Sequence, residues 1–213
     1  MVKVKICGLT NKEDALKACE YGADLVGFVF AEGSPRSVGP ETVKDIVEAV
    51  PQGVGKVGLF KDDALEEVEE CFLSCDLDHV QLHGDESPAY CAELKEALRK
   101  NGKAVGIIKT FKVKDKILGF PAGAYVDAAY YLFDTFHEKM MGGTGIKFDW
   151  AVIRDFKGDR PFFLAGGLNQ RNVAEAVREV HPYGVDVSSG VEGSVGKKDE
   201  NKLKEFIQNA KKA

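Results

Sequence analysis

Eight short runs rich in β-branched and aromatic residues recur along the chain, separated by longer stretches with helical periodicity and a charged outer face. The runs cover residues 2–7, 25–30, 55–60, 79–83, 104–110, 130–134, 161–165 and 183–187. The helical stretches cover 11–21, 40–50, 63–74, 87–100, 149–156, 169–180 and 199–211. Capping chemistry marks several helix starts: Thr10 or Asn11 before the first, Ser87-Pro88 before the fourth, Asn169 before the seventh. Repeated right-handed βα crossovers, with no antiparallel hairpin signal, give a parallel sheet. Eight of them in 213 residues favour a closed (β/α)8 TIM barrel over an open doubly wound sheet. No Gly-x-Gly-x-x-Gly follows the first run, so the main mark of a dinucleotide fold is missing. In the stretch 111–129, Gly119, Pro121 and Gly123 leave the fifth helix either short or replaced by irregular chain.

At this length one domain spanning 1–213 is the expectation. The net charge of −5, with acids and bases interspersed, leaves no electrostatic footprint for nucleic acid or an acidic membrane. A small phosphorylated ligand needs only local donors and fits that charge. The five cysteines are odd in number and fall in helices or at a strand end, which suits a reduced cytosolic enzyme. Cys71 and Cys75 have the spacing of half a metal site, but no matching second half accompanies them; core packing on one helix face is the alternative, and no metal is expected. Met1 leads straight into the first strand, with no room for a signal peptide, and no apolar stretch approaches a membrane span, so the chain is expected in the cytoplasm.

In a barrel of this kind the chemistry belongs to the ends of the strands. The last two strands break into donor-rich turns, Gly166-Gly167-Leu168-Asn169 and Ser188-Ser189-Gly190-Val191. Glycine lets backbone N–H groups approach an anion, serine adds hydroxyls, and a helix starting just beyond would add its dipole; Gly166, Gly167, Ser188, Ser189 and Gly190 therefore read as a phosphate grip. Cys7 closes the first strand and precedes a helix start that would lower its pKa, a candidate base or nucleophile against the alternative of an inert buried thiol. Asp134 is a candidate acid or a loop cap, and Asp127 is its rival. Arg36 offers a two-pronged grip on a carboxylate or is simply solvated. Gln81 and His83 alternate along the fourth strand as catalysts or interior hydrogen-bonded residues, and Asp186 precedes the serines of the eighth. The loop Gly142-Gly143-Thr144-Gly145 is a lid over a ligand or a passive connector.

Taken in order, Lys5-Ile6-Cys7-Gly8-Leu9-Thr10, Gly27-Phe28-Val29-Phe30 with Ser34-Pro35-Arg36, Gln81-Leu82-His83-Gly84, Phe133-Asp134-Thr135, Gly142-Gly143-Thr144-Gly145 with Phe148-Asp149-Trp150, Ala165-Gly166-Gly167-Leu168 and Val185-Asp186-Val187-Ser188-Ser189-Gly190-Val191-Glu192 resemble the phosphoribosylanthranilate isomerase family of tryptophan biosynthesis. The resemblance runs from the first strand to Gly196-Lys197-Lys198-Asp199. It implies an Amadori rearrangement of N-(5-phosphoribosyl)anthranilate to 1-(2-carboxyphenylamino)-1-deoxyribulose 5-phosphate without metal or organic cofactor. It further implies that Asp134 is the general acid, Cys7 the general base and Arg36 the anthranilate-side arginine. The glycine and serine turns would form the phosphate cradle, with His83 and Asp186 as substrate contacts, and the partner is a small phosphoribosyl substrate bound by a monomer or homodimer. Rival readings are an indole-3-glycerol-phosphate synthase, which would want a lysine acid and an N-terminal extension, or an aminoimidazole-carboxamide ribotide isomerase, which would place an aspartate where Cys7 stands. A silent phosphometabolite-binding barrel would have no use for an acid–base pair.

Overall fold

A strand apolar on both pleats has to be covered on both faces, and that is how these runs are used: β2 (Leu25–Val29), β7 (Phe162–Ala165) and β8 (Gly184–Val187) are buried along their whole length. The structure is a computed structural model that describes residues 1–114, 117, 123–135, 150–154, 156 and 158–213. With β1 (Lys3–Ile6), β3 (Gly55–Phe60), β4 (His79–Leu82), β5 (Gly106–Val113) and β6 (Tyr130–Thr135), these strands close a parallel barrel in chain order, a (β/α)8 TIM barrel. Closure pairs Lys3 with Gly184, Val4 with Val185, Lys5 with Asp186 and Ile6 with Val187. One pleat sends Val4, Ile6, Val26, Phe28, Val80, Leu82, Leu164 and Val185 outward into the helix-covered core. The other sends Leu25, Val57, Ile108, Leu132, Phe163 and Ala165 into the barrel interior.

The helices around the barrel are α1 (Lys12–Glu20), α2 (Pro40–Val47), α3 (Leu65–Ser74), α4 (Pro88–Lys100), α5 (Ala151–Arg154), α6 (Val173–Val180) and α7 (Glu200–Lys212). Asn11 caps α1 by accepting from the Asp14 N–H, Ser87 caps α4 through Tyr90, and Asp199 caps α7 through Lys202. Among the described residues no helix is long and apolar enough to cross a membrane.

Two local expectations are corrected. The helical stretch expected from Asn169 starts at Val173, because Asn169 and Asn172 close a turn on each other first: Asn172 Oδ1 accepts from the Asn169 N–H at 2.8 Å. No full helix follows Ser188-Ser189-Gly190; a three-residue 3-10 turn, Ser189–Val191, runs into an antiparallel hairpin of β9 (Glu192–Ser194) and β10 (Lys197–Lys198), so the chain does contain a hairpin. Between β5 and β6 the described residues hold turns and no helix. Tyr125, Ala128 and Ile117 join the outer core there, with the Tyr125 ring edge-on to Phe111 at 5.4 Å, so side chains from irregular backbone do the covering a helix would do. The glycine loop 142–145 and Asp149 lie outside the described residues.

Candidate active site

Cys7 follows β1 and extends its pairing, donating its N–H to the Val187 carbonyl at 2.8 Å. Its side chain is 4 % exposed and lies in an apolar patch with Val29, Ala31 and, half-buried, Leu59. Two residues earlier on the same pleat, Lys5 is fully buried and places Nζ 2.8 Å from Asp186 Oδ1. Asp186 itself is buried at the end of β8. Burial pushes the Cys7 thiol up, and Asp186 adds to that; Lys5 and Lys198 pull it down without overcoming it. The expectation that the following helix start lowers this thiol is therefore corrected: α1 begins five residues on, beyond the reach of a helix end, and desolvation dominates. Lys5, equally buried, stays above its ordinary value: burial works against its charge, and Asp186 and Cys7 outweigh that cost.

Gly8 adopts φ +69°, and a Cβ there would come within 2.7 Å of both Arg36 Cδ and Ser188 Oγ. The missing side chain thus lets the end of β1, the loop after β2 and the end of β8 meet at one point. Arg36 uses its fork on an internal carboxylate: Nε reaches Glu192 Oε1 at 2.7 Å and Nη2 reaches Oε2 at 2.6 Å. Lys198, buried in the hairpin, donates to the carbonyls of Cys7 (2.7 Å) and Ser188 (3.1 Å) and lies 3.2 Å from Glu192 Oε1. Burial alone would raise Glu192, but Arg36 and Lys198 hold it below the usual carboxylate range. Lys198 shares that one carboxylate with an arginine, and burial keeps its own value down.

Across the rim, Asp134 near the end of β6 faces His83 just past β4, with Nε2 to Oδ2 at 3.4 Å. Gln81 Nε2 lies 3.2 Å from His83 Nδ1 and 3.4 Å from Thr110 Oγ1. The two ring nitrogens of His83 thus face different partners, Nδ1 the Gln81 amide and Nε2 the Asp134 carboxyl group. Asp127 belongs elsewhere: it pairs with Lys95 of α4 at 3.1 Å, on the helix side.

The turns after β7 and β8 are stitched to each other. Gly166 and Gly167 both have positive φ, +84° and +64°, a backbone form closed to most side chains. Gly190 packs so closely on the Leu168 carbonyl that a Cβ would collide with it. Ser188 Oγ is buried and has no hydrogen-bond partner among the described residues, a donor left over beside those turns. Among the described residues no group of three or more His, Cys, Asp or Glu side chains is placed to hold a metal ion. Cys75 packs against α2, its Sγ 3.6 Å from the Pro40 carbonyl.

The structure thus gathers Cys7, Arg36, Asp186, Ser188 and the Gly190 turn on one side of the rim, and His83 with Asp134 on the other. Lys5, Glu192 and Lys198 carry no role in the sequence reading, yet they hold this side together. One signal for Lys5 was available: it shares a pleat with Cys7 in a strand that a closed barrel buries on both faces.

Fold and rim together define a (β/α)8 barrel that gathers its polar and ionisable side chains at the carboxyl ends of its strands. The family model for N-(5'-phosphoribosyl)anthranilate isomerase matches residues 4–209. The N-(5'-phosphoribosyl)anthranilate isomerase of Pelobacter propionicus is 45% identical over 211 residues, covering 99% of this chain and 96% of that protein. The crystal structure of phosphoribosyl anthranilate isomerase from Thermotoga maritima superposes with a TM-score of 0.83 at 39% identity, covering both chains completely. Another phosphoribosyl anthranilate isomerase, crystallised with reduced 1-(o-carboxyphenylamino)-1-deoxyribulose 5-phosphate, gives 0.80 at 38% identity, again over both full chains. The chain belongs to the N-(5'-phosphoribosyl)anthranilate isomerase family.

Proposed function

We propose that the protein converts N-(5'-phosphoribosyl)anthranilate into 1-(2-carboxyphenylamino)-1-deoxyribulose 5-phosphate, a step of tryptophan biosynthesis, with Asp134 as general acid and Cys7 as general base. What supports this reading is that both groups stand at the carboxyl ends of strands of one parallel barrel, the end that also carries the glycine and serine turns after β7 and β8 with the unpartnered Ser188 hydroxyl.

Asp134 gives its proton to the ribose ring oxygen as the bond from that oxygen to C1 breaks, and the amine nitrogen's lone pair forms the C1=N iminium. The iminium acidifies the C2 proton. Cys7, as thiolate, takes that proton, and the electrons of the C2–H bond form the C1=C2 double bond of an enolamine while the nitrogen regains its pair. Tautomerisation moves a proton from the C2 hydroxyl to C1 and leaves the ketone. His83 Nε2–H stabilises the carboxylate that Asp134 becomes, within the geometry set by Gln81. The substrate phosphate occupies the turns Gly166-Gly167 and Ser188-Ser189-Gly190, where the spare Ser188 hydroxyl supplies a donor. Glu192 takes two of the five guanidinium N–H groups of Arg36, which fixes the fork and leaves the others for the anthranilate carboxylate. Asp186 meets the sugar hydroxyls next to Cys7.

The test is an assay of the purified protein with N-(5'-phosphoribosyl)anthranilate generated in situ, following loss of anthranilate-type fluorescence. Turnover is expected without added metal or cofactor. Folded protein that gives no signal overturns the proposal.

A further inference from the structure

The base in the proposed reaction sits in a wall that opposes its working form. Around the Cys7 sulfur, β2 and the loop after it offer Val29 and Ala31, and β3 offers Leu59, all apolar. The charged groups that face it are Lys5 on its own strand, Asp186 on β8, Lys198 on the hairpin and Arg36 from the loop after β2. Arg36 is committed to Glu192, and Lys198 to Glu192 and two backbone carbonyls, so both cations are aimed at other partners.

Lys5 is placed differently. Cys7 stands beside Gly27 of β2 in the parallel register, and a Cβ on Gly27 would lie 3.0 Å from Cys7 Sγ and 3.2 Å from Lys5 Nζ. Ammonium and sulfur therefore converge on the one space that Gly27 leaves empty. A lysine sealed into a barrel lining costs free energy that an apolar side chain of the same shape would not, and Asp186 alone gives no reason to keep the pair.

We propose that Lys5 is a positioning residue for proton removal at C2: its ammonium, held by Asp186 in the space left by Gly27, keeps a positive charge beside the Cys7 sulfur and lets the thiolate form inside an apolar wall. Lys5 keeps its own proton throughout; the proton leaving the thiol goes to solvent before the thiolate takes the one from C2. The charge balance agrees, since burial and Asp186 oppose ionisation of the thiol while Lys5 favours it. This inference rests on the reading of Cys7 as base.

The experiment follows two curves against pH in the full-length protein. One is the rate of Cys7 alkylation by iodoacetamide, located by peptide mass spectrometry; the other is kcat/KM. In Lys5→Met both midpoints should move to higher pH by about one unit or more, a roughly tenfold loss of thiolate at neutral pH for each unit, with the plateau at high pH less affected. Lys5→Arg should restore most of the shift. Should Lys5→Met fail to fold because Asp186 is left unpaired, Lys5→Met with Asp186→Asn removes both charges, and its alkylation curve should still move upward by a smaller amount. Alkylation curves that superpose on the native one, with Cys7→Ser inactive, overturn the role of Lys5 and leave the base standing. Full turnover in Cys7→Ser overturns the base, while the alkylation curve still reports on Lys5 separately.

Discussion

In the proposed reaction a thiol and a carboxyl group form an acid–base pair, which requires each to be held in the form its step uses by a neighbouring side chain. For the thiol that neighbour is Lys5, and for the carboxyl group it is His83, whose other ring nitrogen faces the Gln81 amide. Cys7→Ser and Asp134→Asn should each lower kcat by about 10²–10⁴-fold and leave KM nearly unchanged in steady-state assays. Arg36→Ala should instead raise KM, and an unchanged KM would assign Arg36 wholly to Glu192. A second residue-scale prediction concerns His79 at the start of β4, whose pKa burial lowers from the ordinary 6.5. Below that value the unfolded chain binds a proton that the folded chain refuses, so stability falls as pH drops from about 6.5 through the folded value. Glu192 and Asp24, both lowered, lose their stabilising contribution further down, as pH falls below their ordinary values of 4.5 and 3.8. Urea midpoints measured across this range should decline on acidification, and His79→Asn should remove the first part of the decline. A native midpoint that stays level between about pH 7 and 5 would count against it.

At the scale of elements, what the sequence made legible follows from period and capping. All eight strands and the Asn11 and Ser87 caps sit where alternation and side-chain chemistry place them, because a buried parallel strand has no other composition open to it. The hairpin of β9 and β10 escaped because its turn, Val195-Gly196 with only Gly196 at positive φ (+77°), carries neither an Asn-Gly or Asp-Gly pair nor a leading glycine to mark it in sequence. The buried lysines escaped for another reason. Lys5, Lys109 and Lys198 read as solvent-facing by residue type, and their carboxylate partners become neighbours only in the folded chain: Asp186 through closure of the barrel, Glu86 through the pairing of β4 with β5, and Glu192 across the hairpin. The state of Cys7 likewise depends on burial, which strand-end position alone does not report. One prediction belongs at this scale: Gly190→Ala forces a methyl into the Leu168 carbonyl, so it should part the two stitched turns, weaken inorganic phosphate as a competitive inhibitor and lower the thermal midpoint. Wild-type inhibition by phosphate in that variant would mean that the turns are not joined through Gly190.

For the whole molecule, the seam is where β1 meets β8, and on the other border of β1 one carboxylate ties that strand to the last helix. Asp24 accepts from the Val4 N–H at 2.9 Å, from Lys3 at 3.0 Å and from Lys211 of α7 at 2.6 Å, tying the first strand, the turn before the second and the last helix together. Asp24→Ala leaves that N–H unpaired and should cost about 1–3 kcal/mol by urea denaturation, with the loss reduced in Asp24→Asn, which keeps an acceptor. The same seam has a consequence for synthesis. A polypeptide emerging from the ribosome can pair one border of residues 3–6 with β2 early, but the other border has nothing to zip to until 184–187 have been translated. Throughout elongation the nascent half-cylinder keeps two raw borders, and the proposed reaction centre, which draws Cys7 from the end of β1 and Ser188 from the end of β8, is assembled only when that last strand has closed the ring.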